Sequence, residues 1–137
     1  MKKGFIIIAV VLSFLLYGSS AWAALGTFNT GAAPVSLAFD GANIWVANHD
    51  DSTVTKLRAS DGTLLGTFNT GAAPVSLAFD GANIWVANHD NSTVTKLRAG
   101  DGTLLGTFNT GAAPVALVFD GANIWVANHD NSTVTKY

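Results

Sequence analysis

The chain has 137 residues, of which 49% are hydrophobic and 12% charged, and it contains no cysteine. This length allows a single domain. The composition excludes a disordered polar chain, a coiled coil and a strongly basic nucleic-acid-binding protein. Seven Lys and Arg against nine acidic residues give a net charge of −2, and Glu and Gln are absent, which disfavours long surface helices.

The N-terminal segment, residues 1–23, has the three parts of a secretory signal peptide. Lys2 and Lys3 precede an apolar run at residues 5–17, and residues 21–23 read Ala-Trp-Ala. The run is shorter than the ~20 residues that a helix needs to cross a membrane. We therefore expect cleavage after Ala23, a periplasmic or extracellular location, and no membrane attachment of the processed chain. An uncleaved membrane anchor is the alternative.

The rest of the chain, residues 24–137, consists of three copies of one unit. The sequence Gly-Thr-Phe-Asn-Thr-Gly begins at Gly26, Gly66 and Gly106, so the spacing between copies is constant. The repeats are therefore residues 26–65, 66–105 and 106–137. The first two differ at only two positions, Asp51/Asn91 and Ser60/Gly100. Such similarity leaves almost no internal variation by which to separate functional positions from structural ones.

Each unit contains four short runs that are typical of β-strands, separated by turns rich in Gly, Asp and Asn. In the first unit, strand a is predicted at residues 35–39, strand b at 44–47, strand c at 53–58 and strand d at 64–68. Strands a and b have small or apolar side chains on both faces, whereas strand c carries Lys56 and Arg58. We therefore expect burial to fall from strand a toward strand d.

Four short strands in each unit are the pattern of a β-propeller blade. Residues 45–48, Trp-Val-Ala-Asn, resemble the signature of YVTN-type propeller repeats, and the frame from Pro34 through Asp40 to Asn48 is similar to virginiamycin B lyase-like repeats. The resemblance covers all of the chain after the signal peptide. The predicted fold is all-β: a β-propeller with three four-stranded blades per chain, each of about 40 residues, a usual length for a propeller repeat.

The strand order at the two ends predicts how the ring closes. Residues 25–30 match strand d without a blade before them, and the third repeat reaches Tyr137 after its strand c. Propellers typically have about 4–8 blades, so a ring is expected only through oligomerisation or as part of a larger propeller. We expect a homo-oligomer, with a dimer favoured, in which residues 25–30 of one chain complete the last blade of its partner. A truncated remnant of a longer array is the alternative.

The candidate site residues are the three His-Asp pairs. In a propeller, the loop between strands b and c lies on the same rim as the loop between strands d and a. The pairs on this rim are His49 and Asp50, His89 and Asp90, and His129 and Asp130. Imidazoles and carboxylates can bind a divalent metal or a polar ligand. In tight loops the same residue types also form turns, which is the interpretation that we favour, and no cofactor is expected.

The function expected from these observations is that of an exported, non-enzymatic module that binds a protein, a glycan or a surface ligand. The alternative is a metal-assisted lyase or hydrolase, because the resemblance to virginiamycin B lyase implies a His and acidic residues with magnesium on one propeller face. Identical copies disfavour catalysis, since an asymmetric reaction needs residues that differ between blades. Trp45, Trp85 and Trp125 are expected to pack between blades rather than to stack on sugars.

Overall fold

A computed structural model describes residues 23–137, and every regular element in that range is a β-strand. The predicted signal peptide lies outside the described residues, apart from Ala23. The strands are β1 (Pro34–Phe39), β2 (Asn43–Asn48), β3 (Thr53–Arg58), β4 (Leu64–Asn69), β5 (Pro74–Phe79), β6 (Asn83–Asn88), β7 (Thr93–Arg98), β8 (Leu104–Asn109), β9 (Pro114–Phe119), β10 (Ile124–Asn128) and β11 (Thr133–Lys136). Residues 23–137 contain no helix that could span a membrane.

The strands form three antiparallel sheets, each in chain order. The first blade is β1-β2-β3-β4, the second is β5-β6-β7-β8, and the third is β9-β10-β11. The predicted all-β architecture of propeller blades is confirmed. Within the described residues the third blade has three strands, so its outer edge, β11, has no strand beside it.

The hydrophobic core lies between the blades. Trp45, Ala47 and Val54 of the first blade form one cluster with Leu77, Ile84, Val86, Leu97 and Ala99 of the second. A second cluster joins Trp85 and Val94 of the second blade to Ile124 and Val126 of the third. Trp45 and Trp85 therefore pack between blades, as predicted. Each blade is stabilised by its neighbours, because burial of these apolar side chains is the main favourable term.

Burial does not fall from strand a to strand d, which corrects the expectation from sequence. In the first blade, β2 and β3 are the most buried strands, whereas β1 exposes Leu37 and Phe39 because no described blade precedes it. Lys56 of β3 is buried rather than solvated. Its Nζ donates to the carbonyl oxygens of Ala99 (2.7 Å) and Gly100 (3.1 Å) in the second blade, so the charge is satisfied across the interface.

Residues 25–30 do not form the predicted strand, because no described strand lies beside them to accept the backbone pairing. They nevertheless sit where strand d of a preceding blade would lie. The Phe28 ring lies against Gly62, as the Phe68 ring of β4 lies against Gly102 of the second blade. The segment therefore has the packing position of strand d without its sheet.

Candidate functional site

The loops that carry the His-Asp pairs are bonded to the loops that precede each blade. His49 N donates to the carbonyl oxygen of Ala33 at 3.0 Å, and Asp50 N donates to that of Ala32 at 3.4 Å. The second and third blades repeat these bonds. The prediction that the two kinds of loop share a rim is confirmed, and we call this surface the His rim.

Two non-glycine residues in each pair of loops have left-handed backbone conformation, which the sequence did not reveal. Ala33 has φ 53° and Ser52 has φ 55°, with equivalent values in the other two blades. This conformation costs an L-residue about 1–2 kcal/mol. Asp51 helps to hold it, since its Oδ2 accepts a hydrogen bond from Ala32 N at 2.6 Å. Asn91 offers an amide oxygen to Ala72 N in the same way, so either Asp or Asn can supply the acceptor in the first two blades.

A buried asparagine supports the His rim from below. Asn48 is fully buried, and its Nδ2 donates to the hydroxyls of Thr53 (3.0 Å) and Thr55 (2.9 Å). A Cβ on Gly31 would lie 2.7 Å from the Asn48 amide, so only glycine fits there. The sequence alone does not reveal this role, whereas the structure makes Asn48 a support for both loops. The signal that marks it is its place at the end of the Trp-Val-Ala-Asn run.

Each predicted His-Asp pair forms an exposed contact within its own loop. The distances from His Nδ1 to Asp Oδ1 are 2.6 Å at His49, 2.7 Å at His89 and 2.7 Å at His129. The His side chains are 40–74% exposed and the Asp side chains 63–65%. Exposed polar contacts of this kind contribute about 0–1 kcal/mol. The carboxylate fixes the ring orientation and leaves Nε2 as the second ring nitrogen for an external contact.

The structure does not bring the three pairs together. Among residues 23–137, no three His, Cys, Asp or Glu side chains are close enough to hold a metal ion. Each imidazole contacts the neighbouring carboxylate instead of an imidazole from another blade. The His rim is thus a repeated set of hydrogen-bonding groups at three places.

The opposite rim contains a second polar cluster, at a position where the sequence predicts only a turn. Asp40 accepts hydrogen bonds from Asn43 N at 2.7 Å, from Ala42 N at 3.0 Å and from the Trp45 indole at 2.8 Å. Partial burial acts to raise the pKa of Asp40, but the hydrogen bonds outweigh it and lower the pKa below 3.8. The sequence signal for this cluster is the constant separation of Asp and Trp, which is the same in every copy.

Comparison with known proteins identifies the fold but no family. No protein-family model and no curated protein matches the chain. Among solved structures, the RRP9 WD40 repeats are 17% identical with a TM-score of 0.70, and the match covers 80% of this chain and 36% of that one. Hydrazine synthase of Kuenenia stuttgartiensis is 21% identical with a TM-score of 0.67, covering 77% of this chain and 32% of that one.

A third similar structure is a protein of unknown function from Desulfotomaculum acetoxidans. It is 22% identical with a TM-score of 0.61, covering 76% of this chain and 41% of that one. The chain thus spans 32–41% of the length of these three proteins. At such identities the likeness shows a β-propeller repeat fold and says nothing of activity.

Proposed function

We propose that the chain is an exported, non-enzymatic β-propeller module of the YVTN type, which binds a protein or a glycan through the His rim. The observation that carries this proposal is the repetition of one exposed loop on three blades. Each loop has the same His-Asp contact and the same bonds to its neighbouring loop. A surface repeated in this way suits a partner that is itself repetitive or extended.

Several weak contacts at fixed spacing support binding better than one loop could. A single exposed His-Asp loop offers a few hydrogen bonds, each contributing about 0.5–1.5 kcal/mol. Engaging a second and third loop of the same rigid scaffold is intramolecular, so the overall affinity can exceed that of one loop by about 10²–10⁴. The backbone bonds that fix the loops reduce the entropy that binding would cost.

The test compares binding by the natural chain with binding by two matched variants. The His-rim variant carries His49→Ala, His89→Ala and His129→Ala together. The control carries Arg58→Gln and Arg98→Gln, which change exposed residues on the opposite rim. Surface plasmon resonance against purified envelope proteins and a glycan array should show binding at least about tenfold weaker for the His-rim variant. Equal binding by all three proteins would contradict the proposal.

A metal titration separates this proposal from the enzyme alternative. Calorimetry with Mg²⁺, Ca²⁺ and Zn²⁺ is expected to show no stoichiometric site. A site that is lost in the His-rim variant would instead favour a metal-assisted lyase or hydrolase.

Export has its own test. A signal peptidase reads small residues before the cleaved bond, and Ala21 and Ala23 supply them. The intact mass of the protein from the host envelope should correspond to a chain that begins at Ala24. A mass that retains residues 1–23 in the membrane fraction would contradict export by cleavage.

A further inference from the structure

The two ends of the three-blade arc expose the two halves of one interface. Inside the chain, each blade presents a leading face to the next blade, made of Trp45, Ala47 and Val54 or their equivalents. The next blade meets it with a trailing face, made of Leu77, Ile84, Val86 and Leu97 or their equivalents. This contact occurs twice, with nearly the same residues.

The leading face of the third blade is open. Val134 is 62% exposed, whereas the equivalent Val54 and Val94 are fully buried. Trp125 is 36% exposed, whereas Trp45 is fully buried. The leading face is therefore less buried where neither a fourth strand nor a following blade lies beside it among the described residues.

Within residues 23–137, the trailing face of the first blade is open in the same way. Leu37 is 68% exposed, against 8% for the equivalent Leu77 in the second blade. A groove of about 680 Å³ lies over this face, lined by Leu37, Ile44 and Leu57 and bordered by Phe28. Between the first and second blades, the corresponding space is filled by apolar side chains of the first blade's leading face.

A segment with the sequence of the strand that completes a leading face lies on the trailing face of the first blade. Residues 26–29 have the same sequence as residues 66–69 of β4 and 106–109 of β8. The Phe28 ring lies against Gly62 just as the Phe68 ring lies against Gly102. In the second of these contacts, Phe68 belongs to the strand that pairs with β3, whereas residues 26–29 have no paired strand among the described residues.

We propose that a second copy of this chain occupies both open ends. The third blade of one copy docks on the first blade of the other, and β11 pairs antiparallel with residues 25–30 of that other copy. The register follows from β3 and β4, where Thr53 is opposite Asn69 and Val54 is opposite Phe68. It places Thr133 opposite Asn29 and Val134 opposite Phe28 of the second copy.

The polar groups at the two ends also match. Lys56 donates to carbonyl oxygens of the next blade at residues 99 and 100. Lys136 is its equivalent and lies over Trp125, with Nζ 5.4 Å from the ring centroid. In the dimer, Lys136 donates to the carbonyl oxygens of residues 59 and 60 of the second copy. Two such contacts close a ring of six blades, within the usual range of about 4–8.

The first experiment tests the strand pairing by engineered disulfides, in a chain that has no natural cysteine. One copy carries Thr133→Cys and the other carries Asn29→Cys, so that only a contact between copies can join them. Co-expression in an oxidising compartment should give a disulfide-linked heterodimer. The out-of-register control pairs Thr133→Cys with Thr27→Cys, further along the segment, and should link far less, because a disulfide requires Cα atoms within about 7 Å. Equal linking in both pairs, or none in the first, overturns the proposed register.

The second experiment measures the mass of the assembly by light scattering after size exclusion. The full chain, as the host processes it, should have the mass of two copies. Val134→Asp should give a folded monomer, because a charge is tolerated where the side chain is exposed in one copy and is costly where the interface buries it. The control is Leu104→Asp, since Leu104 is 58% exposed and its equivalent Leu64 is 61% exposed even with a blade following.

A monomeric natural chain, a longer open assembly, or a Val134→Asp protein that remains a dimer overturns the inference. The inference does not depend on the binding role of the His rim. The Val134→Asp monomer can be tested for rim binding separately, so failure of one proposal is distinguishable from failure of the other.

Discussion

At the scale of single residues, Asp80 joins a turn to the core between blades. Its carboxylate accepts hydrogen bonds from the backbone of Asn83 and from the Trp85 indole, at 2.7 Å in each case. Partial burial acts to raise the pKa of Asp80, but these bonds and a further one from Ala82 lower it below 3.8. The ionised carboxylate therefore orients a tryptophan that packs between blades.

A lowered pKa predicts how stability depends on pH. A group whose pKa is lower in the folded state adds stability above its unfolded pKa and loses it as the pH falls through the folded value. The free energy of unfolding should thus be constant near neutrality and fall below pH ~4. Asp80→Asn should be less stable at neutral pH and should show a shallower decline in acid. Urea unfolding across this range measures both, and an unchanged acid slope would contradict the assignment.

Unlike Asp80, the histidines of the His rim are expected to contribute little to stability. The three imidazoles are exposed, and Nδ1 of each lies within hydrogen-bond distance of the neighbouring carboxylate. Replacing all three by Ala should change the free energy of unfolding by about 0.5 kcal/mol or less at each position, as is usual for exposed residues. Chemical denaturation checks this, and a loss of several kcal/mol would show that the pairs hold the loops together.

At the scale of elements, substitutions at two glycines test the contact between a turn of the second blade and β4 of the first blade. Gly102 has φ 77°, and a Cβ there would lie 2.0 Å from the Phe68 ring. Gly81 has φ 98°, and a Cβ there would meet nothing within 4 Å. Both Ala substitutions incur a backbone cost of about 1–2 kcal/mol. Gly102→Ala should cost more by about 1–3 kcal/mol, because it also displaces Phe68.

The comparison of these two variants isolates the packing contribution. Thermal unfolding of Gly81→Ala supplies the backbone cost alone. Equal losses of stability in the two variants would show that the Phe68 contact contributes little to the junction of the blades.

The strands could be predicted from the sequence because their signals are local. The Asp-Gly turns and the short apolar runs determine where β2 and β3 begin and end, and strand order then assigns the loops to rims. The burial of Lys56 could not be predicted, since its acceptors belong to the next repeat and meet it only in the folded chain. The left-handed Ser52 was also missed, because glycine, the usual marker of that conformation, is absent there.

Residues 25–30 show that a strand pattern in the sequence forms a strand only where a partner strand lies beside it. The sequence Gly-Thr-Phe-Asn forms a strand at residues 66–69 and 106–109, where β3 and β7 supply the partner. The same sequence at residues 26–29 is not a strand, because none of the described strands is beside it. A strand is defined by its pairing, so the repeat alone could not decide this segment.

At the scale of the whole molecule, the proposed dimer predicts that stability depends on protein concentration. Association that occurs only in the folded state shifts the unfolding equilibrium by mass action. The melting temperature of the natural chain should therefore rise across a hundredfold increase in concentration. That of Val134→Asp should stay constant, and differential scanning calorimetry distinguishes the two. A constant melting temperature for the natural chain would contradict association in this range.

The near identity of the three units also affects how the chain reaches its native state. The segments at residues 26–29, 66–69 and 106–109 are chemically equivalent, so each can pair with β3, β7 or β11 during refolding. Only loop closure distinguishes the native pairing from the others, and its entropic cost grows slowly with loop length. Refolding after dilution from denaturant should thus include slow phases in which strands exchange partners. We therefore expect the sorting of equivalent strands, rather than their formation, to limit the rate of refolding.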